Sequence, residues 1–303
     1  MTLWFASIGA VLLFAGLAIA GVGTKSVPSG QSDQIKVVAA ENFWGSLVSQ
    51  LGGSKVSVTS IVSDPNSDPH EYQSSTSDAR SFAQADYVIL NGAGYDSWGN
   101  QLLSASPNSE RIVLNIAHLL NKHNGDNPHF WYSPTYVNLA VKAMEQDLIK
   151  LDPASKSYFN LRYRALTAEL APYQTRIKDI KQSFKGTEVA ATEDVFSYLA
   201  QAAGLDLISP PAFIKAVAEG SDPPASSLVL FQHQLESGQV KLLVYNKQTV
   251  TPLTGSIKQL AAKLKIPIVG ISEIVQPPKD SFQQWMNAEV TQIQNALIKS
   301  GGK

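Results

Sequence analysis

The sequence of 303 residues contains no cysteine. This absence excludes disulfide bonds, thiolate zinc sites, iron–sulfur clusters, cysteine nucleophiles and membrane attachment through an acylated cysteine. Any metal site must therefore use histidine, aspartate, glutamate or backbone oxygen, a ligand set that favours borderline-to-hard divalent ions. Charged residues are also few, at 16% of the chain, and leave a net charge of −1 without a dense basic run. Nucleic-acid binding therefore has no electrostatic support.

One long apolar run is present, at residues 3–22, and a Gly/Ser/Pro/Lys-containing stretch follows it. Twenty such residues are long enough to span a bilayer. Ala18-Ile19-Ala20 fits the small-x-small pattern of signal cleavage, whereas no Lys or Arg precedes the run. Residues 1–34 are therefore predicted to be a signal peptide or an N-terminal membrane anchor plus linker. Both alternatives place the chain from Ser32 onward outside the cytoplasm.

The rest of the chain alternates short β-rich runs with helical patterns, which is typical of parallel βαβ units. With 44% hydrophobic residues the chain is expected to be globular, and its length exceeds what one core usually serves. The predicted strands are residues 35–39, 56–62, 86–90, 111–114, 188–191, 206–208, 241–245 and 267–271. The predicted helices are residues 43–51, a helix from about 77, 194–203, 226–235, 256–264 and 281–299.

A long helical stripe interrupts this alternation. Apolar residues recur at steps of three to five, at Tyr158, Leu161, Ala165, Leu170, Tyr173, Ile177, Ile180 and Phe184. Pro172 is expected to kink or split the helix. We therefore predict an α/β fold of two pseudo-symmetric lobes, with parallel-rich sheets flanked by helices. The predicted lobes are residues 35–152 and 187–303, joined by one long backbone helix at 153–186, and they face one another across a ligand cleft.

Two short segments place a histidine directly after a proline, with an aromatic residue two positions on. They are residues 68–72 (DPHEY) and 127–131 (NPHFW). Proline stiffens the backbone that leads to each imidazole, and a divalent ion requires accurately placed nitrogens. Each histidine alone is compatible with an ordinary loop residue, but two near-copies without competing thiols favour a metal site. His118, His123 and His233 lack this setting and are interpreted as surface or core histidines.

Residues 92–97 (GAGYDS) follow a predicted strand and are similar to a dinucleotide-binding loop. Ser97 replaces the third glycine of that fingerprint, and the Trp98-Gly99 pair breaks the expected helix. This segment is therefore predicted to be a simple turn.

From about Ile35 to Ile298 the chain resembles the metal-binding receptors of ABC importers for zinc and manganese. Several motifs carry the resemblance in order: residues 68–72, ADYVILNGAG at 85–94, residues 127–131, Asp152-Pro153, Tyr198-Leu199-Ala200 before Gly204-Leu205, and Ile266-Pro267-Ile268.

The resemblance implies four protein ligands, two from each lobe. Its histidines fall on His70 and His129, its third ligand on Glu193, and its fourth, an acid after the last strand, on Glu273. Alternatives stay open for the second lobe: Glu193 could simply cap a helix, Glu273 could be a solvated loop acid, and Asn246 could contribute an oxygen.

The resemblance further implies a monomeric extracytoplasmic binding protein, not an enzyme. It would hold one divalent ion, Zn²⁺ or Mn²⁺, as transported substrate and pass it to the permease of an ABC transporter. Phe130, Trp131 and Tyr72 are expected to shield the ion. Two rivals are an exported metal-dependent hydrolase, with Glu71 as its base, and a surface adhesin with a structural metal.

Overall fold

Eight strands within the described residues form two parallel four-stranded sheets, and the chain order of the strands is the same in both. The computed structural model describes residues 1, 2, 4, 34–66 and 69–301. The first sheet has the order β2-β1-β3-β4 and the second β6-β5-β7-β8. The strands are β1 Ile35–Glu41, β2 Val56–Val62, β3 Tyr87–Leu90, β4 Ile112–Asn115, β5 Glu188–Ala191, β6 Asp206–Leu207, β7 Leu243–Asn246 and β8 Ile268–Ile271. The predicted α/β fold with two pseudo-symmetric parallel sheets is confirmed.

Helices cover both faces of each sheet, which is why the central strands are continuous apolar runs. All four residues of β3, for example, are buried. The helices are α1 Asn42–Gly52, α2 Thr76–Gln84, α3 Ser97–Ala105, α4 Ile116–Leu119, α5 Pro134–Leu151, α6 Lys156–Phe184, α7 Ser197–Ala202, α8 Pro211–Ala218, α9 Ala225–Glu236, α10 Pro252–Lys263 and α11 Phe282–Lys299. Short 3₁₀ turns lie at Gly53–Lys55, Pro69–Glu71, Phe130–Tyr132, Pro153–Ser155 and Asp194–Phe196.

The long helix α6 joins the two sheets. Its 29 residues span about 43 Å at 1.5 Å per residue. The helix runs unbroken through Pro172, so the alternative that proline splits it is wrong. It packs against α1, α5 and α11, and Arg176 donates hydrogen bonds to Asn287 and Gln294 on α11. These contacts hold α6 against the body of the protein along its length.

One apolar cluster draws side chains from both sheets and from α6. Ile89 of β3, Ile177 of α6 and Val244 of β7 all belong to it. The described residues from 34 to 301 accordingly form one packed unit, in which the two lobes share a core. The lobe boundaries at 152/153 and 186/187 stay a prediction.

The predicted turn after β3 is wrong beyond residue 96, because α3 begins at Ser97 and includes Trp98 and Gly99. Gly99 allows this helix to lie directly on the sheet: a Cβ atom there would be 2.7 Å from Leu90 Cδ2. The glycine therefore permits close packing and does not break the helix.

The apolar run at residues 3–22 lies outside the described residues, apart from Trp4, and so does Asp68. Among the described residues, no helix is both long and apolar enough to cross a lipid bilayer.

Candidate metal centre

Two of the four candidate ligands directly follow strands, and the other two lie in or beside short 3₁₀ turns of the longer loops between elements. His70 lies in the 3₁₀ turn Pro69–Glu71 after β2, and His129 directly precedes the turn Phe130–Tyr132. Glu193 and Glu273 each lie two residues beyond a strand, β5 and β8 respectively. Loops at the carboxyl ends of parallel strands are where ligands commonly bind in α/β folds.

The structure brings three of these four side chains into one group. One ligand atom each from His70, His129 and Glu273 lies within 4.8 Å of the others. Oε2 of Glu273 is 3.4 Å from Nε2 of His70 and 3.4 Å from Nε2 of His129. Tetrahedral ligands bound to one ion at about 2.1 Å are separated from one another by about 3.4 Å. The spacing of these atoms therefore suits a shared divalent ion.

His129 is completely buried, and its two ring nitrogens have different surroundings. Nδ1 lies 2.8 Å from Oδ1 of Asn127 and 3.2 Å from Oδ1 of Asp194. Nε2 makes no hydrogen bond within the described part of the chain, although it faces Glu273. An Nδ1–H group held by an oxygen leaves Nε2 as the metal-binding atom, which is the usual arrangement for a histidine ligand.

The Glu273 carboxylate is completely buried and surrounded by donors. The Tyr95 hydroxyl donates to its Oε2 at 2.7 Å, and the Asn246 side-chain amide donates to its Oε1. Burial alone would raise the pKa of Glu273, but the neighbouring His129 and His70 hold it well below its usual value. Glu273 is therefore a charged acceptor at the centre of the group, and the interpretation as a solvated loop acid is wrong.

Glu193 is buried but does not belong to the three-residue group. It occupies the position before the turn Asp194–Phe196, yet its side chain makes no capping hydrogen bond, so the capping interpretation is wrong. One of its carboxylate oxygens has no hydrogen-bond partner among the described residues. Burial, followed by the negative charge of Glu273, raises the pKa of Glu193 to about 8.

Asn246 lies beside both acids of the second lobe. Its amide group donates to Glu273 and to Thr249, and its presence near Glu193 lowers the pKa of that acid. Its side-chain oxygen accepts from the backbone N–H of Gln248 at 2.9 Å. Asn246 thus orients the carboxylates, and its oxygen is already engaged by the backbone.

The aromatic wall of the site differs in part from the prediction. The Trp131 ring lies 5.2 Å from the His129 ring, as a shielding residue should. Tyr72 instead packs on Trp98 at 5.1 Å, and Phe130 packs on Tyr136 and Tyr198. Tyr95, which the sequence did not single out, lies with its ring 4.7 Å from the ring of His70.

A cavity of about 920 Å³ adjoins the group, and both histidines line it. Its wall carries five acidic residues and one lysine: Glu71, Asp126, Asp194, Glu219, Asp222 and Lys215. Lys215 forms an ion pair with Glu219 at 2.9 Å. The remaining acids therefore make the electrostatic potential of the cavity negative. A cavity lined by one sign of charge attracts counter-ions, here cations. His118, His123 and His233 are exposed and lie outside the three-residue group.

Residues 37–296 match the sequence model of the family described as ZnuA, zinc-uptake complex component A, periplasmic. The chain belongs to this family. The metal ABC transporter substrate-binding lipoprotein FimA of Streptococcus parasanguinis is 25% identical over 276 residues, 85% of this chain and 84% of FimA. The manganese ABC transporter substrate-binding lipoprotein PsaA of Streptococcus pneumoniae is 27% identical over 225 residues, 67% of this chain and 68% of PsaA.

The fold is also that of a solved structure, the substrate-binding protein FpvC from Pseudomonas aeruginosa in complex with Mn²⁺. The TM-score is 0.73 at 20% sequence identity, over 88% of this chain and 100% of FpvC. Family membership confirms the resemblance seen in the sequence. It also confirms that the chain belongs among the substrate-binding proteins of metal ABC transporters and not among enzymes.

Proposed function

We propose that this chain is the extracytoplasmic solute-binding protein of an ABC importer, which captures one Mn²⁺ or Zn²⁺ ion and delivers it to the membrane permease. The observation that carries the proposal is the convergence of His70, His129 and Glu273 on one point, with 3.4 Å between Glu273 and each histidine. The family description names zinc, and the relative PsaA is named for manganese.

Glu193 is proposed as the fourth ligand. It has a buried carboxylate oxygen without a hydrogen-bond partner in the described structure, and it is close enough to Glu273 for the charge of that acid to raise its pKa. Two imidazoles and two carboxylates form a nitrogen and oxygen site that suits both metals. The two negative charges would balance a divalent cation, so no net charge would be buried.

The proposal places the protein outside the cytoplasm. FimA and PsaA are named lipoproteins, whereas this chain has no cysteine to acylate. Secretion after cleavage near Ala20, or retention through the apolar run at residues 3–22, would supply the same location. Mass spectrometry of the amino terminus distinguishes these alternatives, because an intact Met1 in the membrane fraction contradicts cleavage.

Metal capture is tested by purification from metal-limited cells, followed by elemental analysis and light scattering. We expect about one manganese or zinc ion per monomer of the wild type, and none in the double variant His70→Ala, His129→Ala. The double variant His123→Ala, His233→Ala is the matched control, since both of these histidines are exposed and lie outside the group. The proposal fails if the wild type carries no more metal than the first double variant.

Delivery to the permease is tested in cells from which the gene has been deleted. Complementation with the wild type or the control variant is expected to restore uptake of radioactive manganese or zinc, whereas the His70→Ala, His129→Ala variant should not. Equal uptake with all three chains would contradict a role in import.

A further inference from the structure

A buried hydrogen-bond network joins the segment that carries His129 to the segment that carries Glu273. Tyr132 lies three residues after His129 and is 1% exposed. Its hydroxyl is 2.6 Å from the backbone carbonyl oxygen of Ser272 and 2.6 Å from Oε2 of Glu289 on α11. Ser272 is the residue directly before Glu273. The network therefore connects two candidate ligands that are 144 positions apart in the sequence (273 − 129).

The other half of the network holds Ser272 from three directions. Its backbone N–H donates to Oε1 of Glu289 at 2.8 Å, and its hydroxyl lies 2.9 Å from the same oxygen. The indole N–H of Trp285 donates to that hydroxyl at 3.0 Å. With Tyr132 at its carbonyl oxygen, every polar group of Ser272 has a partner. The backbone that leads into Glu273 thus has a fixed position.

Stability of the core alone does not require such a network. Glu289 is 2% exposed, and burying a carboxyl group carries a large desolvation cost that well-packed apolar side chains would avoid. What the polar network adds is a defined geometry at the interface of the two lobes. Residues behind the ligands commonly have this role in metal sites, where they orient the ligand side chains.

We propose that Tyr132 and Glu289 are positioning residues of the metal centre, which fix the separation of His129 and Glu273 before an ion arrives. This inference rests on the proposed metal-binding function. The His70 imidazole, which is 27% exposed, lies on a different segment and is not part of the network described above. The relative position of His129 and Glu273 is thus fixed before the ion binds, whereas His70 is the candidate ligand that solvent can reach.

The test compares two variants that each remove one buried tyrosine hydroxyl. Tyr132→Phe keeps the ring in its packing against Trp131 and Trp285 but removes the link to Ser272 and Glu289. Tyr87→Phe is the matched control: Tyr87 is also buried, and its hydroxyl donates to the Asp147 carboxylate at 3.1 Å, away from the ligands. Both variants lose a buried hydrogen bond to a carboxylate, so a general loss of stability should affect both.

Each protein is first stripped of metal, and its thermal unfolding midpoint is measured in that state. Its affinity for Mn²⁺ and Zn²⁺ is then measured by competition with a chelating dye. The visible spectrum is recorded after Co²⁺ has been added. We expect Tyr132→Phe to bind about tenfold more weakly and to shift the Co²⁺ bands, since its ligands are no longer preset. Tyr87→Phe should bind within about twofold of the wild type with unchanged bands. Glu289→Met, which removes both oxygens, is expected to lose about 100-fold in affinity.

The inference is overturned if Tyr132→Phe matches the wild type in affinity and in the Co²⁺ spectrum. It is also overturned if both tyrosine variants weaken binding equally, because the effect would then be general. Should Glu289→Met fail to fold, the tyrosine pair decides alone. A wild type that binds none of the metals refutes the proposed function itself, whereas a binding wild type with an unaffected Tyr132→Phe refutes only the positioning role.

Discussion

Metal affinity is expected to rise steeply with pH, because two buried groups of the candidate site hold protons when no ion is bound. Burial lowers the pKa of His129, but the carboxylates of Asp194 and Glu273 outweigh it and raise that pKa to about 10. The pKa of Glu193 is raised to about 8 by burial and by the charge of Glu273. Both groups are therefore mainly protonated at neutral pH, and a divalent ion must displace these protons to bind them.

The magnitude follows from the distance between each pKa and the working pH. The pKa of His129, about 10, is 3 units above pH 7, so removing its proton at pH 7 costs about 4 kcal/mol. The pKa of Glu193, about 8, is 1 unit above pH 7, so removing its proton costs about 1 kcal/mol. Together they lower the apparent affinity at pH 7 by about 10⁴-fold. The ion-bound state holds fewer protons, so higher pH favours it: affinity rises about 100-fold per unit below pH 8 and about tenfold per unit from there to pH 10.

The assay is calorimetric titration of Mn²⁺ at about pH 7 in two buffers of different ionisation enthalpy, which gives the number of protons released per ion. His129 and Glu193 together should release about two protons per ion in the wild type, and His129 alone about one in Glu193→Gln. His233→Gln, an exposed residue outside the group, is the control and should match the wild type. A proton count near zero in the wild type, or an affinity independent of pH, would refute the reasoning.

Three further predictions concern stability and ion capture. Chelation of the metal should lower the thermal midpoint and leave cooperative unfolding intact, because the shared core does not depend on the ligands; loss of the folded circular dichroism spectrum would instead support a structural metal. Phe213→Ala should lower the free energy of unfolding in urea by about 3–5 kcal/mol, since Phe213 is buried against Phe231 at 4.8 Å, and unchanged unfolding would contradict that packing. Replacing two acids of the cavity wall, Glu71→Gln with Asp222→Asn, should slow metal association several-fold in stopped-flow experiments at low salt, and an unaltered rate would argue against electrostatic attraction.

The central strands were accessible from the sequence because parallel strands buried on both faces form continuous apolar runs, whereas the edge strand β2 shows the alternation of a half-buried strand. The predicted ranges of β2 and β5 agree with the structure at both ends. Helices α5 and α8 escaped prediction, although Pro134 and Pro211 stand at their first positions, where proline is favoured. Helix α8 has only eight residues, fewer than the window over which an apolar period is recognised.

The long helix shows why a periodic pattern does not fix which face is buried. Leu161 belonged to the predicted apolar stripe, yet it is 66% exposed. Phe159 and Leu166 are buried in its place, whereas Tyr173 and Ile177 were predicted correctly. Apolar residues are dense before Pro172, so two helix faces satisfy the same spacing. The neighbouring helices α1 and α5 decide between them, and the sequence does not state where these helices lie.

The candidate site could be predicted only in part for a similar reason. The two Pro-His segments and Glu273 were found because local motifs and a family resemblance marked them. Tyr95 lies 178 positions from Glu273, to which it donates, and Tyr132 lies 157 positions from Glu289. Contacts at such separations depend on how the two sheets are placed, which no local pattern encodes. The hydrogen-bond partners of the candidate ligands were therefore missed, whereas the three candidates that lie together, His70, His129 and Glu273, had been named from the sequence.

Because one apolar cluster draws side chains from both sheets, the two halves of the protein are expected not to fold separately. A fragment ending near residue 152 would lack α6 and α11, and would expose to water the side chains that these helices cover on α1 and α5. Neither half could then be produced alone as a soluble receptor fragment. Two co-expressed halves would have to find each other before either one became stable, and the protein would thus assemble as a single cooperative unit although it looks like two.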